Sequence, residues 1–132
     1  MAFNPKQKIL IVDDMGTMRK IIKNMLTKMG CNDLTEAEDG TPAWEMLQQA
    51  HEAGQPFEFV VSDWNMPQMT GLDLLKHIRD DERFNSLPFL MITAEAEQSN
   101  VVIAVKAGVS NFIVKPFSIV TLKEKIDKIF GA

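Results

Sequence analysis

The chain has a single cysteine, Cys31, which excludes an internal disulfide and any metal cluster of the cysteine type. It also lacks a basic run long enough to follow a phosphate backbone. Its 14 lysines and arginines are outnumbered by 18 aspartates and glutamates, a balance that speaks against nucleic-acid binding. No apolar stretch approaches the ~18 residues of a membrane span, and residues 1–6 carry no apolar signal core, so the expected location is the cytoplasm. Missing too are a Gly-x-x-x-x-Gly-Lys loop and a Gly-x-Gly-x-x-Gly turn after the first strand. Nucleotides and dinucleotides are thus left without their usual backbone cradle. The two histidines, His51 and His77, fall on expected helix surfaces far from every strand end and are given no catalytic role.

What is present is an alternation of short apolar runs and helical periods. Lys8 to Val12 reads as a strand, after which Ile21, Ile22, Met25, Leu26 and Met29 recur at helical spacing until Gly30 stops them. A more polar strand over residues 33–37 is expected at a sheet edge. Asp39-Gly40 marks a turn, and Thr41-Pro42 supplies an N-cap and a first helical proline for a helix with Ala43, Trp44, Leu47 and Ala50 facing the core. A third strand over 58–63 leads through a loop to Gly71 and a helix with Leu72, Leu75 and Ile78 on one face. A strand over 88–93, a helix near 98–107 stopped by Gly108, and a strand over 111–114 follow. Ser118 then caps a helix with Ile119, Leu122, Ile126, Ile129 and Phe130 on its apolar face, and Phe117 and Leu122 stand at the spacing of a hydrophobic staple. Five such units without linker or repeat make one doubly wound α/β domain.

In an open parallel sheet the ligand site lies beyond the carboxyl ends of the strands. Five polar residues end apolar runs there: Asp13 and Asp14, Asp63, Thr93 and Lys115. Taken singly, each has a plain reading: the acids a solvated turn, the lysine a surface cation, the threonine a strand residue. Together they suggest metal and phosphoryl chemistry. Three carboxylates about 5 Å apart repel by ~3 kcal/mol per pair at an effective dielectric of roughly 20, a cost that a divalent cation removes. All-oxygen ligands favour Mg²⁺ over zinc or copper.

Asp13-Asp14, Asp63, Thr93-Ala94 and Lys115-Pro116-Phe117, each after its strand, together resemble the signature of a response-regulator receiver domain over essentially the whole chain. Ser62 to Pro67, Leu90 to Glu95 and Thr17 to Arg19 resemble the single-domain chemotaxis regulators of that family. The strand order 2-1-3-4-5 of a flavodoxin-like sheet with five helices comes with the resemblance, not with the sequence pattern. The resemblance further implies one monomeric receiver domain over 1–132, ending after its fifth helix without an output domain, and a cis Lys115-Pro116 bond.

Functionally it implies a phosphorylation switch of a two-component system. Asp63 accepts a phosphoryl group from a histidine kinase. Asp14, Asp63 and the Asn65 carbonyl ligate Mg²⁺, with Asp13 acting through water, while Lys115 and Thr93 contact the phosphoryl oxygens. Thr93 couples to Phe112, and the face around the fourth helix, fifth strand and fifth helix binds the flagellar motor switch protein in chemotaxis. A phosphatase partner is left open. The chain is read as no enzyme, though it assists its own phosphoryl transfer and hydrolysis. Two alternatives stand beside this one: a phosphate sink, and a Mg²⁺-dependent phosphatase of small phosphate esters. The second is disfavoured because Asn65, not an acid, lies two residues after Asp63. The chain departs from its relatives in three places. Phe112 stands where tyrosine is frequent and the chain has no tyrosine, Glu97-Gln98 replaces a lysine pair, and residues 51–56 are a longer connection.

Overall fold

The apolar runs fold as buried strands because helices cover them on both sides. The computed structural model describes residues 3–94 and 98–131. Strands β1 (Ile9–Val12), β2 (Leu34–Ala37), β3 (Phe59–Asp63), β4 (Phe89–Thr93) and β5 (Asn111–Val114) form one parallel sheet in the order β2-β1-β3-β4-β5. They alternate with α1 (Gly16–Lys28), α2 (Gly40–Glu52), α3 (Gly71–Arg79), α4 (Gln98–Lys106) and α5 (Ile119–Ile129). The expected doubly wound architecture and strand order are both present, and the polar β2 is an edge strand.

Alternate residues of each central strand feed two separate cores. Leu10, Val12, Val60, Phe89 and Met91 pack with Ala43 and Leu47 of α2 and with Leu74, Leu75 and Ile78 of α3. Ile9, Ile11, Phe59, Val61, Leu90 and Ile92 pack with Ile22 and Leu26 of α1 and with Leu122 and Ile126 of α5. Each of these valine, leucine, isoleucine, phenylalanine and methionine side chains, fully buried, contributes about 1.5–3 kcal/mol. The helices after β1 and β4 end where Gly30 and Gly108 take φ values of +95° and +92°, as their positions in the sequence suggest.

The structure differs from the sequence reading in three local details. Asp39, not Thr41, is the N-cap of α2: its carboxylate accepts from the Thr41 N–H, and the helix starts at Gly40. A carboxylate with two oxygens outcompetes the threonine hydroxyl, and Pro42 is still tolerated in the first turn, where backbone N–H groups have no helical partner. In α1 the inward stripe is Ile22 and Leu26, and Ile21 is exposed because this helix packs on one side only. In α3, Leu74 joins Leu75 and Ile78 in the core, while Leu72 is only half-buried.

Candidate functional site

Strand register brings the polar residues together. β1 pairs with β3 so that Val12 faces Ser62, which sets Asp13 beside Asp63. β3 pairs with β4 with Asp63 against Ile92, so Thr93 extends one residue further, and Thr93 in turn pairs with Val114, next to Lys115. The crossover at β1 sends α1 and α2 to opposite faces, which opens the crevice that these residues line.

The acids are close and mostly buried. One carboxylate oxygen from each of Asp13, Asp14 and Asp63 lies within 4.8 Å of the others; Asp13 and Asp63 are buried and Asp14 is exposed. The Lys115 Nζ stands 3.2 Å from Asp63 Oδ1 and 3.9 Å from Asp13 Oδ2, and the Lys115-Pro116 bond is cis, as expected. Asp13 Oδ1 accepts from the Met15 N–H at 2.9 Å, but its buried Oδ2 has no hydrogen-bond partner. Burial, opposed by the Met15 N–H and reinforced by the Asp63 charge, pushes the Asp13 carboxyl up to about 6. Burial also raises Asp63, against the pull of the Lys115 ammonium. One ammonium cannot neutralise three carboxylates. An orphaned buried oxygen within an all-carboxylate cluster fits a hard divalent cation such as Mg²⁺.

The loop from Trp64 to Thr70 forms the other wall. Trp64 N–H donates to the Ile92 carbonyl and Gly71 N–H returns to the Trp64 carbonyl, at 2.8 and 2.9 Å, so the loop closes on the end of β3. A Cβ at Gly71 would overlap the Asp63 carbonyl oxygen and come 2.9 Å from Met91 Sδ, which requires glycine there. Asn65, Met66, Pro67, Thr70 and Asp14 line a shallow depression of about 320 Å³ beside the acids. Thr93 is buried at the end of β4. Phe112 lies opposite Met91 on β5, half-buried on the α2–α3 core, with the Lys125 ammonium 5.1 Å from its ring centroid.

Asp13, Asp14, Asp63, Asn65, Thr93 and Lys115 thus converge on one end of the sheet, Phe112 lies two residues before the end of β5, and both histidines lie on the surface away from the site. Of the Glu97-Gln98 turn, Glu97 lies outside the described residues, as does Glu95. Two contributors escaped the sequence reading. Arg19 donates from Nη1 to the Asp13 carbonyl at 2.7 Å and from Nε to Glu36 at 3.1 Å, which ties the acid-bearing loop to β2. Asp39, read only as part of a turn, reaches the β3–α3 loop. A short polar residue before a helix was the available signal for Asp39; its long-range partners left none.

A parallel α/β sheet with acids, a threonine and a lysine on its strand ends is the architecture of a receiver domain, and the known proteins it is similar to are of that class. Residues 9–127 match the response regulator receiver domain model. The chain belongs to the response-regulator receiver family. Its place there is among CheY-type regulators of chemotaxis. It is 55% identical to chemotaxis protein CheY-3 of Vibrio cholerae, over 96% of this chain and 94% of that protein. It is 54% identical to CheY of Pseudomonas aeruginosa, over 93% and 95%. Among solved structures it resembles CheY4 of Vibrio cholerae, with TM-score 0.83, 30% identity and coverage of 94% and 98%. It also resembles the receiver domain of a sensor histidine kinase from Pseudomonas aeruginosa PAO1, described with a magnesium ion coordinated in its active site cleft (TM-score 0.82, 25% identity, coverage 96% and 99%). Such receivers are signalling proteins, not enzymes acting on a separate substrate. No helix of the described residues is long and apolar enough to cross a membrane.

Proposed function

We propose that Asp63 is the phosphoacceptor of this chain, and that the chain, as a single monomeric receiver domain over 1–132, works in the cytoplasm by binding the flagellar motor switch protein. The observation that carries this reading is the Lys115 ammonium 3.2 Å from Asp63 inside a cluster of three carboxylates. A histidine kinase supplies the phosphoryl group. An Asp63 oxygen attacks the phosphorus of a phosphohistidine, the O–P bond forms as the N–P bond breaks, and the imidazole leaves with the electron pair and takes up a proton.

Phosphoryl transfer asks mainly for alignment and charge neutralisation. Asp14, Asp63 and the Asn65 carbonyl hold Mg²⁺ in this reading, with Asp13 acting through water. Bound there, the ion neutralises charge on the phosphoryl oxygens. Lys115 pairs with one of those oxygens and the Thr93 hydroxyl donates to another. Hydrolysis of the acyl phosphate resets the protein, alone or with a phosphatase. Asn65, two residues after Asp63, offers no second acid for turnover of phosphate esters.

The added group brings roughly two negative charges beside Thr93, which moves toward them and lets Phe112 turn inward. The surface read as output is already apolar. Val102, Ile103 and Val105 of α4 are 43%, 42% and 61% exposed, and Val120 of α5 is 63% exposed. The test is binding of a motor switch peptide with and without a stable phosphoryl mimic. Binding that tightens with the mimic supports the assignment, and equal absence of binding in both states leaves the phosphate sink in its place.

A further inference from the structure

We infer that Asp39 is a positioning residue for the β3–α3 loop: its carboxylate seats residues 68 and 69, and so fixes the loop that carries Asn65 beside the acid cluster. This rests on the reading of that cluster as a Mg²⁺ site. Asp39 is 6% exposed and belongs to none of the strand ends that carry the chemistry. Its Oδ1 accepts from Met69 N–H at 2.7 Å and from Thr41 N–H at 3.3 Å, and its Oδ2 accepts from Gln68 N–H at 3.0 Å. Capping α2 uses only the longest of the three bonds, and a serine hydroxyl would serve there equally well. The two shorter bonds run to partners 29 and 30 residues away, in the loop.

Gly40 completes the seat. Its N–H donates to the Met69 carbonyl at 3.3 Å, and a Cβ on it would stand 2.6 Å from that carbonyl oxygen and 2.8 Å from the Met69 Cβ. The first turn of α2 therefore lies flush against the loop because position 40 has no side chain. Burial alone would raise the Asp39 carboxyl, but the N–H groups of Met69, Gln68, Thr41 and Gly40 outweigh it and hold the carboxyl below its usual range. The acceptor is thus a full carboxylate. Between the seat at 68–69 and the end of β3 at Asp63 lies Asn65, whose freedom to shift is set by those two anchors.

The experiment compares wild type, Asp39→Ser and Gly40→Ala. Serine keeps an acceptor for Thr41 but is too short to span to the loop. Alanine at 40 keeps Asp39 but pushes Met69 away. Mg²⁺ is titrated in the full chain and followed by the fluorescence of Trp64, beside Asp63, while amide hydrogen exchange reports residues 68 and 69 in metal-free protein. Folding is checked by circular dichroism. The expected result is a folded protein in both variants, with Mg²⁺ bound about tenfold more weakly, the lower end of the ~10–100-fold loss seen when groups that orient metal ligands are removed. Exchange protection at Gln68 and Met69 should fall as well. A folded Asp39→Ser protein with wild-type Mg²⁺ affinity overturns the inference. Failure of the metal reading looks different, since the wild type then gives no saturable Mg²⁺ signal. In that case, undiminished protection at Gln68 and Met69 in Asp39→Ser still overturns the seat.

Discussion

Asp13 is held in the protein at a cost. Its carboxyl titrates near 6 in the fold, against 3.8 ordinarily, because it is buried next to another acid. Between those two values the folded state keeps a proton that the unfolded chain has released. Stability therefore falls as pH rises from about 4 to about 6, and the whole deficit is present at neutral pH. A shift of about two units corresponds to roughly 3 kcal/mol. Asp13→Asn should accordingly stabilise the metal-free protein by about 1–3 kcal/mol near neutral pH, with a gain that disappears below about pH 4. Urea midpoints at both pH values measure this, and an unchanged or lower neutral midpoint would refute it. Asp13, Asp14 and Asp63 were legible in the sequence because each ends an apolar run. Asp39 was not: in the sequence it is part of an Asp-Gly turn, and the bonds that give it a role at the site come from Gln68 and Met69, 29 and 30 residues away.

At the scale of elements, the β3–α3 loop and β5 carry the working parts. Gly71→Ala would drive a methyl group into the Asp63 carbonyl, which is backbone and cannot rotate away. The expected loss is about 1–3 kcal/mol of stability together with weaker Mg²⁺ binding, read by urea denaturation and Mg²⁺ titration. A variant of wild-type stability would mean that the loop has slack not apparent in its contacts. On β5, Phe112 lacks the hydroxyl that burial of a tyrosine would have to satisfy. Phe112→Tyr should then lower basal partner binding about threefold or more while enlarging the gain on activation, since a cost of ~1 kcal/mol falls on the inward ring. Equal basal affinity and equal gain in the two proteins would remove that bias. Strand positions were readable from composition, and the stops at Gly30 and Gly108 from residue type. Which of Ile21 and Ile22, or of Leu72 and Leu74, turned inward depended on how many sides of the helix the sheet covers, a property of packing and not of periodicity.

For the whole molecule, the strand order is what converts separate sequence positions into a site. Residues 13, 63, 93 and 115 are far apart along the chain, and the parallel register of β1, β3, β4 and β5 places them at one end of one sheet. The alternation of strands and helices was legible; the order of the strands was reached only through family likeness, because several right-handed arrangements suit the same alternation. The central claim is that this convergence makes Asp63 a phosphoacceptor that depends on a divalent ion. Its most direct measurement is intact mass and peptide mapping of the full chain after incubation with a small phosphoramidate, whose N–P bond stands in for phosphohistidine, with and without Mg²⁺. The account predicts one phosphoryl group on Asp63, formed only with Mg²⁺, released by hydroxylamine as an acyl phosphate, and absent from Asp63→Asn. A phosphoryl group mapped to another residue, or incorporated equally well without Mg²⁺, would contradict it.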